Sequence, residues 1–232
     1  MNRYEKNFDD VLQRVEKARL EANEYNIIKI VAVSKYSDTD AVRELYSVGQ
    51  RAFGENRVQD LKLKMDELDD LPLEWHFIGR LQKNKINHLL DLHPSLFQSC
   101  DSLELAKEVD KRAKAKGVVI PTLLQINSAK EDTKAGVMPE VAKDIYFQIL
   151  EDCPNLKLKG VMSIGAHTED QKLIQKSFET TYKIFEDLKS KGASICSMGM
   201  SNDFELAIKC GSNMLRLGSI LFKRLSNFSK TL

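Results

Sequence analysis

Eight short apolar runs of strand type recur along this chain, each followed by a segment of helical period. They fall at 28–33, 52–54, 75–78, 96–99, 121–126, 158–162, 193–196 and 214–217. Between them, Val58, Leu61, Met65 and Leu68 share one helix face, and so do Ile174, Phe178, Thr181, Phe185 and Leu188. A further helix precedes the first run, with Phe8, Val11, Leu12, Val15 and Ala22 on one face. Strands alternating with helices imply parallel pairing, and eight units predict a closed (β/α)8 TIM barrel with an extra N-terminal helix. A doubly wound open sheet is the alternative. The 232 residues suit one barrel and contain no linker, so one domain over 1–232 is expected. Asp101 with Glu104 predicts a capping box, Pro139 suits a first helical position, and Ser226–Leu232 reads as a loose end.

Charge and cysteine usage narrow the function. Lys plus Arg is 35 against 34 for Asp plus Glu, which excludes a strongly basic nucleic-acid face and an acidic tail. No apolar run approaches the ~20 residues of a membrane span, and the polar N-terminus is no signal peptide. A cytoplasmic protein with no membrane partner is expected, and its balanced surface predicts a monomer. Cys100, Cys153, Cys196 and Cys210 form no Cys-x-x-Cys pair and no zinc spacing with a histidine. Buried free thiols and no metal site are expected.

In such a barrel the site lies where the strands end. Ser34-Lys35, Glu55-Asn56, Gly79-Arg80, Asp101, Asn127, Ser163–His167, Ser197–Ser201 and Gly218-Ser219 follow the eight runs. Lys35 is on spacing alone a solvated surface lysine. Partly desolvated at a barrel mouth, it becomes an amine that attacks a carbonyl. That second reading needs an anion site on the same rim. Met198–Asp203 and Met214–Ser219 supply one, since glycine and free N–H groups at a helix start accommodate a phosphate, with Ser201 an N-cap on the plainer reading. Arg216 shares a strand face with Gly218. It reads either as a salt-bridge partner or as a guanidinium that meets the ring nitrogen of a cofactor.

These residues carry a resemblance to a known family. Val33-Ser34-Lys35, Phe53–Gln59, Trp75–Gln82 with Asn84-Lys85, Ser197–Asp203 and Arg216-Leu217-Gly218 resemble the pyridoxal phosphate homeostasis proteins, relatives of the N-terminal barrel of alanine racemase. The resemblance covers nearly the whole chain. It implies a single alanine racemase N-terminal-like barrel with pyridoxal 5'-phosphate held as a Schiff base on Lys35. It also implies Arg216 near the pyridine nitrogen, Asn56 close to the cofactor, and phosphate contacts from Ser201, Gly218 and Ser219. The chain departs from the family pattern at Ser219, Ile220 and Lys223. The family's Asn-x-Ser-Gly-Glu-Glu-x-Lys-x-Gly loop survives in part, as Asn127, Ser128, Glu131, Lys134 and Gly136.

Other polar residues have plainer readings. His76 is a satisfied core histidine, His167 a surface residue at a helix start, Trp75 core or lower rim, and 107–116 a solvated helix face. Arg80, Gln82 and Asn84 line the mouth or a partner surface.

Two function classes stay open. One is a protein of intracellular pyridoxal phosphate homeostasis, without catalytic residues, that buffers the cofactor or supplies it to pyridoxal phosphate-dependent apoenzymes. The other is an amino-acid racemase or related enzyme. Racemisation needs acid and base groups on opposite faces of a carbanion, and the racemase draws one from a tyrosine of a further domain. The expected lack of that domain, and an arginine at the ring nitrogen, favour the carrier.

Overall fold

The computed structural model describes residues 2–22, 27–131 and 133–223. Eight parallel strands close into a barrel in chain order, with β8 pairing back onto β1. The strands are β1 (Lys29–Val33), β2 (Ala52–Glu55), β3 (Glu74–Phe77), β4 (Leu96–Cys100), β5 (Ile120–Ile126), β6 (Leu156–Ser163), β7 (Ile195–Ser197) and β8 (Met214–Leu217). The helices are α1 (Arg3–Glu21), α2 (Thr39–Ser47), α3 (Val58–Glu67), α4 (Ile86–Asp91), α5 (Leu103–Lys116), α6 (Ala142–Asp152), α7 (Gln171–Leu188), α8 (Phe204–Lys209) and α9 (Ser219–Phe222). The expected (β/α)8 barrel with an added N-terminal helix is therefore the fold. Among the described residues, no helix is long and apolar enough to cross a membrane.

Two apolar layers hold it. The larger lies between sheet and helices, where Phe53 packs on Trp75 at 5.7 Å and Phe77 on Phe97 at 6.1 Å between ring centroids. Each such ring contributes about 1.5–3 kcal/mol by leaving water. The smaller, inside the barrel, is Val31, Ala52, Leu96, Leu123, Met162 and Met214. The strand period of two fixes this division, placing Val31 inside and Ala32 outside along β1.

Local signals differ from expectation in four places. Ser102, not Asp101, caps α5, because its Oγ accepts from Leu105 N at 3.2 Å. Pro139 lies in a turn three residues before α6 begins. On α1, Phe8, Val11 and Val15 are buried as expected, with Tyr4, Asn7 and Ala18 beside them, but Leu12 points outward and Ala22 is the C-cap. The seventh strand starts at Ile195 rather than Ala193, because Ala193 N still closes onto Leu188 O at the end of α7. Residues 224–232, which include the expected loose end, lie outside the described residues.

The N-terminal helix is tied across the closure of the barrel. Asn7 Nδ2 donates to Leu221 O and Lys223 O, both at 3.0 Å, so α1 holds the segment that follows β8.

Candidate functional site

Lys35 sits in the turn that ends β1, where Ser37 N donates to Ser34 O at 2.8 Å. Its side chain is exposed rather than desolvated as expected, with Nζ 4.9 Å from the centre of the Tyr36 ring. The turn lifts it clear of the barrel interior. It has no ion-pair partner among the described residues, so its amine is free to react or to move.

The turn itself is clamped from behind. Ser34 Oγ donates to Glu55 Oε1 at 2.6 Å. Lys64 Nζ reaches from α3 to donate to that same oxygen at 2.6 Å and to Ser34 O at 2.7 Å. Glu55 and Lys64 are both buried, and Glu55 Oε2 has no hydrogen-bond partner. An ion pair out of water contributes little net stability but fixes geometry, here that of the residue before Lys35. Sequence reasoning missed this pair. Its trace was a lysine on the Val58–Leu61–Lys64 stripe of α3, a cation placed where the period demands an apolar residue.

Asn56 follows β2 and is half-buried. Its backbone is pressed by Gly79, where an added Cβ would stand 1.9 Å from Asn56 O. Only glycine allows the β3 exit to lie so close, which explains the Gly79 of the third rim motif. Ser99 Oγ donates to Gly79 O at 2.5 Å and secures that approach from β4.

Arg216 on β8 is 5% exposed. Its Nη1 donates to Ser197 Oγ and its Nη2 to Ser163 O, each at 2.7 Å. Burial pushes its pKa down to about 10, against the field of Asp203, so it remains a cation at neutral pH. Both acceptors are neutral, and no ion pair forms with it among the described residues. The salt-bridge reading of Arg216 is thus not what the structure holds.

The loop after β7 and the start of α9 meet at Ser201. Its Oγ receives Gly218 N at 3.3 Å and Ile220 N at 3.5 Å. Those long contacts leave two N–H groups loosely satisfied at one point, with exposed Ser219 between them. Asp203 shapes this loop by accepting from Met200 N at 2.6 Å, and burial raises its pKa. Gly199 has φ +97°, and a Cβ there would come 2.6 Å from that of Ala207. Gly218 in turn borders Val33, two residues before Lys35. Lys35, Arg216, Ser201, Gly218 and Ser219 therefore occupy one quadrant of the C-terminal rim, at the β7–β8–β1 seam. Asn56 stands at the next strand.

The remaining expectations divide. His76 is buried and bonded at both ring nitrogens, and Trp75 is core. His167 is exposed and lies before Asp170, the true cap of α7. Arg80, Gln82 and Asn84 are exposed. Asn127 organises the loop after β5 by donating to Glu131 O at 2.9 Å and Lys134 O at 3.2 Å. Lys134 Nζ then reaches Gly165 O at 2.7 Å on the neighbouring loop. All four cysteines are free. Burial raises Cys100 to about 12, Cys153 and Cys210 to about 11, and Cys196 further, so none is a ready nucleophile. No group of three or more metal-ligating side chains occurs among the described residues.

The chain is similar to known proteins. The family model described as alanine racemase, N-terminal domain, matches residues 7–225. The pyridoxal phosphate homeostasis protein of Helicobacter pylori (strain ATCC 700392 / 26695) is 56% identical over 220 residues, covering 95% of this chain and 98% of that protein. That of Aquifex aeolicus (strain VF5) is 38% identical over 216 residues, covering 91% and 94%. The solved structure of PipY from Synechococcus elongatus PCC7942 with PLP bound superposes with a TM-score of 0.77 at 33% identity, covering 90% of this chain and 99% of that one.

Proposed function

The chain belongs to the alanine racemase N-terminal domain family and, within it, to the pyridoxal phosphate homeostasis proteins, and from that premise we propose that it binds pyridoxal 5'-phosphate on Lys35 and takes part in holding the cofactor's intracellular level. The observation that carries the site assignment is Arg216: a buried guanidinium that meets only a hydroxyl and a carbonyl. Such a cation has no anionic partner among the described residues and keeps N–H donors beyond these two bonds, which a pyridine nitrogen can accept.

The other residues fit the same group. Pyridoxal phosphate, when bound, brings an aldehyde that condenses reversibly with an amine. Lys35 provides that amine without an ion pair to break first. The N–H groups of Gly218 and Ile220, with the hydroxyls of Ser201 and Ser219, provide donors for a phosphate. Ser219 keeps a hydroxyl at the position where the chain departs from the family. Asn56 holds the rim beside the amine.

We read the protein as a carrier, a single barrel domain acting as a monomer that hands its cofactor to pyridoxal phosphate-dependent apoenzymes. Arg216 supports this reading over a racemase. A guanidinium does not hand a proton to a ring nitrogen, so electron withdrawal from a bound amino acid is weak. The test is a visible spectrum of purified protein before and after borohydride, with mapping of the modified lysine. Fixation at Lys35 is expected. Fixation elsewhere, or turnover of amino acids at about 1 per second or more, overturns the reading.

A further inference from the structure

A column of polar side chains runs down the inside of the barrel from Arg216 to the opposite mouth. Arg216 Nη1 donates to Ser197 Oγ at 2.7 Å, and Ser197 Oγ donates to Gln98 Oε1 at 2.7 Å. Gln98 Nε2 lies 2.8 Å from His76 Nδ1, and His76 Nε2 lies 2.9 Å from Glu74 Oε1. Lys29 Nζ closes the column on Glu74 Oε2 at 2.6 Å. Ser197, Gln98 and His76 are buried, while Lys29 and Glu74 line a cavity of about 330 Å³ open to solvent at the N-terminal mouth.

The polarity of this column is fixed by chemistry. A guanidinium only donates, so Ser197 must accept from it and spend its one hydrogen on Gln98 Oε1. That turns the amide nitrogen of Gln98 toward His76, so Nδ1 must accept and the ring proton must sit on Nε2, facing Glu74. The second N–H of Gln98 meets Met214 Sδ at 3.4 Å. Turning the amide over would set Oε1 against that sulfur and leave Ser197 facing donors on both sides. One orientation of each group therefore satisfies all the others. Barrel interiors are ordinarily filled by branched apolar layers, and four buried polar residues in series, Arg216, Ser197, Gln98 and His76, need a reason.

We propose that Ser197, Gln98 and His76 are positioning residues for Arg216, which hold its guanidinium toward the rim through a one-way hydrogen-bond column anchored by the Glu74–Lys29 pair at the far mouth. The proposal rests on the reading above only for what Arg216 meets at the rim.

The test has two readouts. In protein free of pyridoxal phosphate, rotation of the Arg216 guanidinium is followed by nitrogen NMR of its side chain. In loaded protein, the visible band and the dissociation constant of pyridoxal phosphate are measured. Ser197→Ala removes the first link and should speed guanidinium rotation and weaken pyridoxal phosphate binding, each by about ten-fold, with a shifted band. Gln98→Met should do the same at the next link, whereas Ser197→Thr, which keeps the hydroxyl, should preserve slow rotation. That contrast is not expected of a residue that merely fills space. Unchanged rotation in folded Ser197→Ala or Gln98→Met overturns the proposal. If the parent protein fails to bind pyridoxal phosphate, the function falls, and the rotation measured in the free protein still decides the column.

Discussion

Lys64 and Glu55 form a buried ion pair at 2.6 Å directly behind the residue that precedes Lys35. Removing either partner leaves the other charge buried alone, which costs about 3–5 kcal/mol. Lys64→Met and Glu55→Gln should each destabilise the barrel by that order. The double substitution should lose less than the sum, because no uncompensated charge remains. Urea denaturation of the four proteins measures the coupling. Additive losses would show that the two groups do not act as a pair.

Lys35→Ala tests the amine. Lys35 is exposed and unpaired among the described residues, so the substitution should change stability by no more than about 0.5 kcal/mol. Borohydride should then fix no pyridoxal phosphate, while weak reversible binding through the phosphate donors persists. A reducible adduct at one other lysine with undiminished affinity would remove Lys35 from the site.

Ser219→Asp tests the phosphate donors. A carboxylate set against a phosphate is repelled by several kcal/mol before screening, so affinity for pyridoxal phosphate should fall about ten-fold or more. Affinity for unphosphorylated pyridoxal should stay within about three-fold, since the new charge has no phosphate to repel. Equal losses for the two ligands, measured by fluorescence titration, would move the phosphate elsewhere.

Gly79 and Gly218 should respond differently to the same added methyl. At Gly79 a Cβ would lie 1.9 Å from Asn56 O, so backbone must move and Gly79→Ala should cost more than about 2 kcal/mol. At Gly218 the nearest atom, Val33 O, is 3.4 Å away, an ordinary contact, so Gly218→Ala should leave the fold intact. Paired melting curves decide between them, and similar melting temperatures would refute the close approach of the β2 and β3 exits.

Acid should weaken the lower mouth in two stages. Burial holds His76 below its ordinary 6.5, so the unfolded chain takes that proton first and stability declines as pH falls below about 6.5. Glu74 is held down to about 2, by its hydrogen bond with His76 and then by Lys29, so its contribution is present above 4.5 and disappears between 4.5 and about 2. Urea midpoints taken from pH 8 to pH 3 should flatten above pH 5 in His76→Asn and below it in Glu74→Gln. A parent profile with no decline between pH 7 and pH 5 would contradict the first stage.

The periodicity of eight runs made the barrel legible, because strand and helix periods differ and parallel strands need covering helices. The rim residues were legible by position, since each follows a run. What stayed hidden was pairing across the sheet. Gln98 and Ser197 are separated by 99 residues and meet only because closure brings β4 and β7 to the same interior. Lys64 was concealed by its type, as a lysine on a helix is ordinarily solvated. The exposure of Lys35 depends on the turn at Ser34–Ser37, whose dihedral choice no spacing rule contains. The caps at Asp101 and Pro139 failed because a serine one position on competed better, and because a proline serves a turn as readily as a helix start.

The seam between β1 and β8 has a consequence for biosynthesis. Lys35 emerges from the ribosome early, whereas Arg216, Gly218 and Ser219 emerge some 180 residues later. Since β1 completes its pairing only with β8, and Asn7 Nδ2 bonds to the segment after it, a nascent chain lacks both halves of the proposed site together. A fragment halted before β8 would carry the proposed amine of Lys35 without Arg216, Gly218 and Ser219 beside it. Closure of the barrel and assembly of the proposed site therefore wait on the same strand, β8.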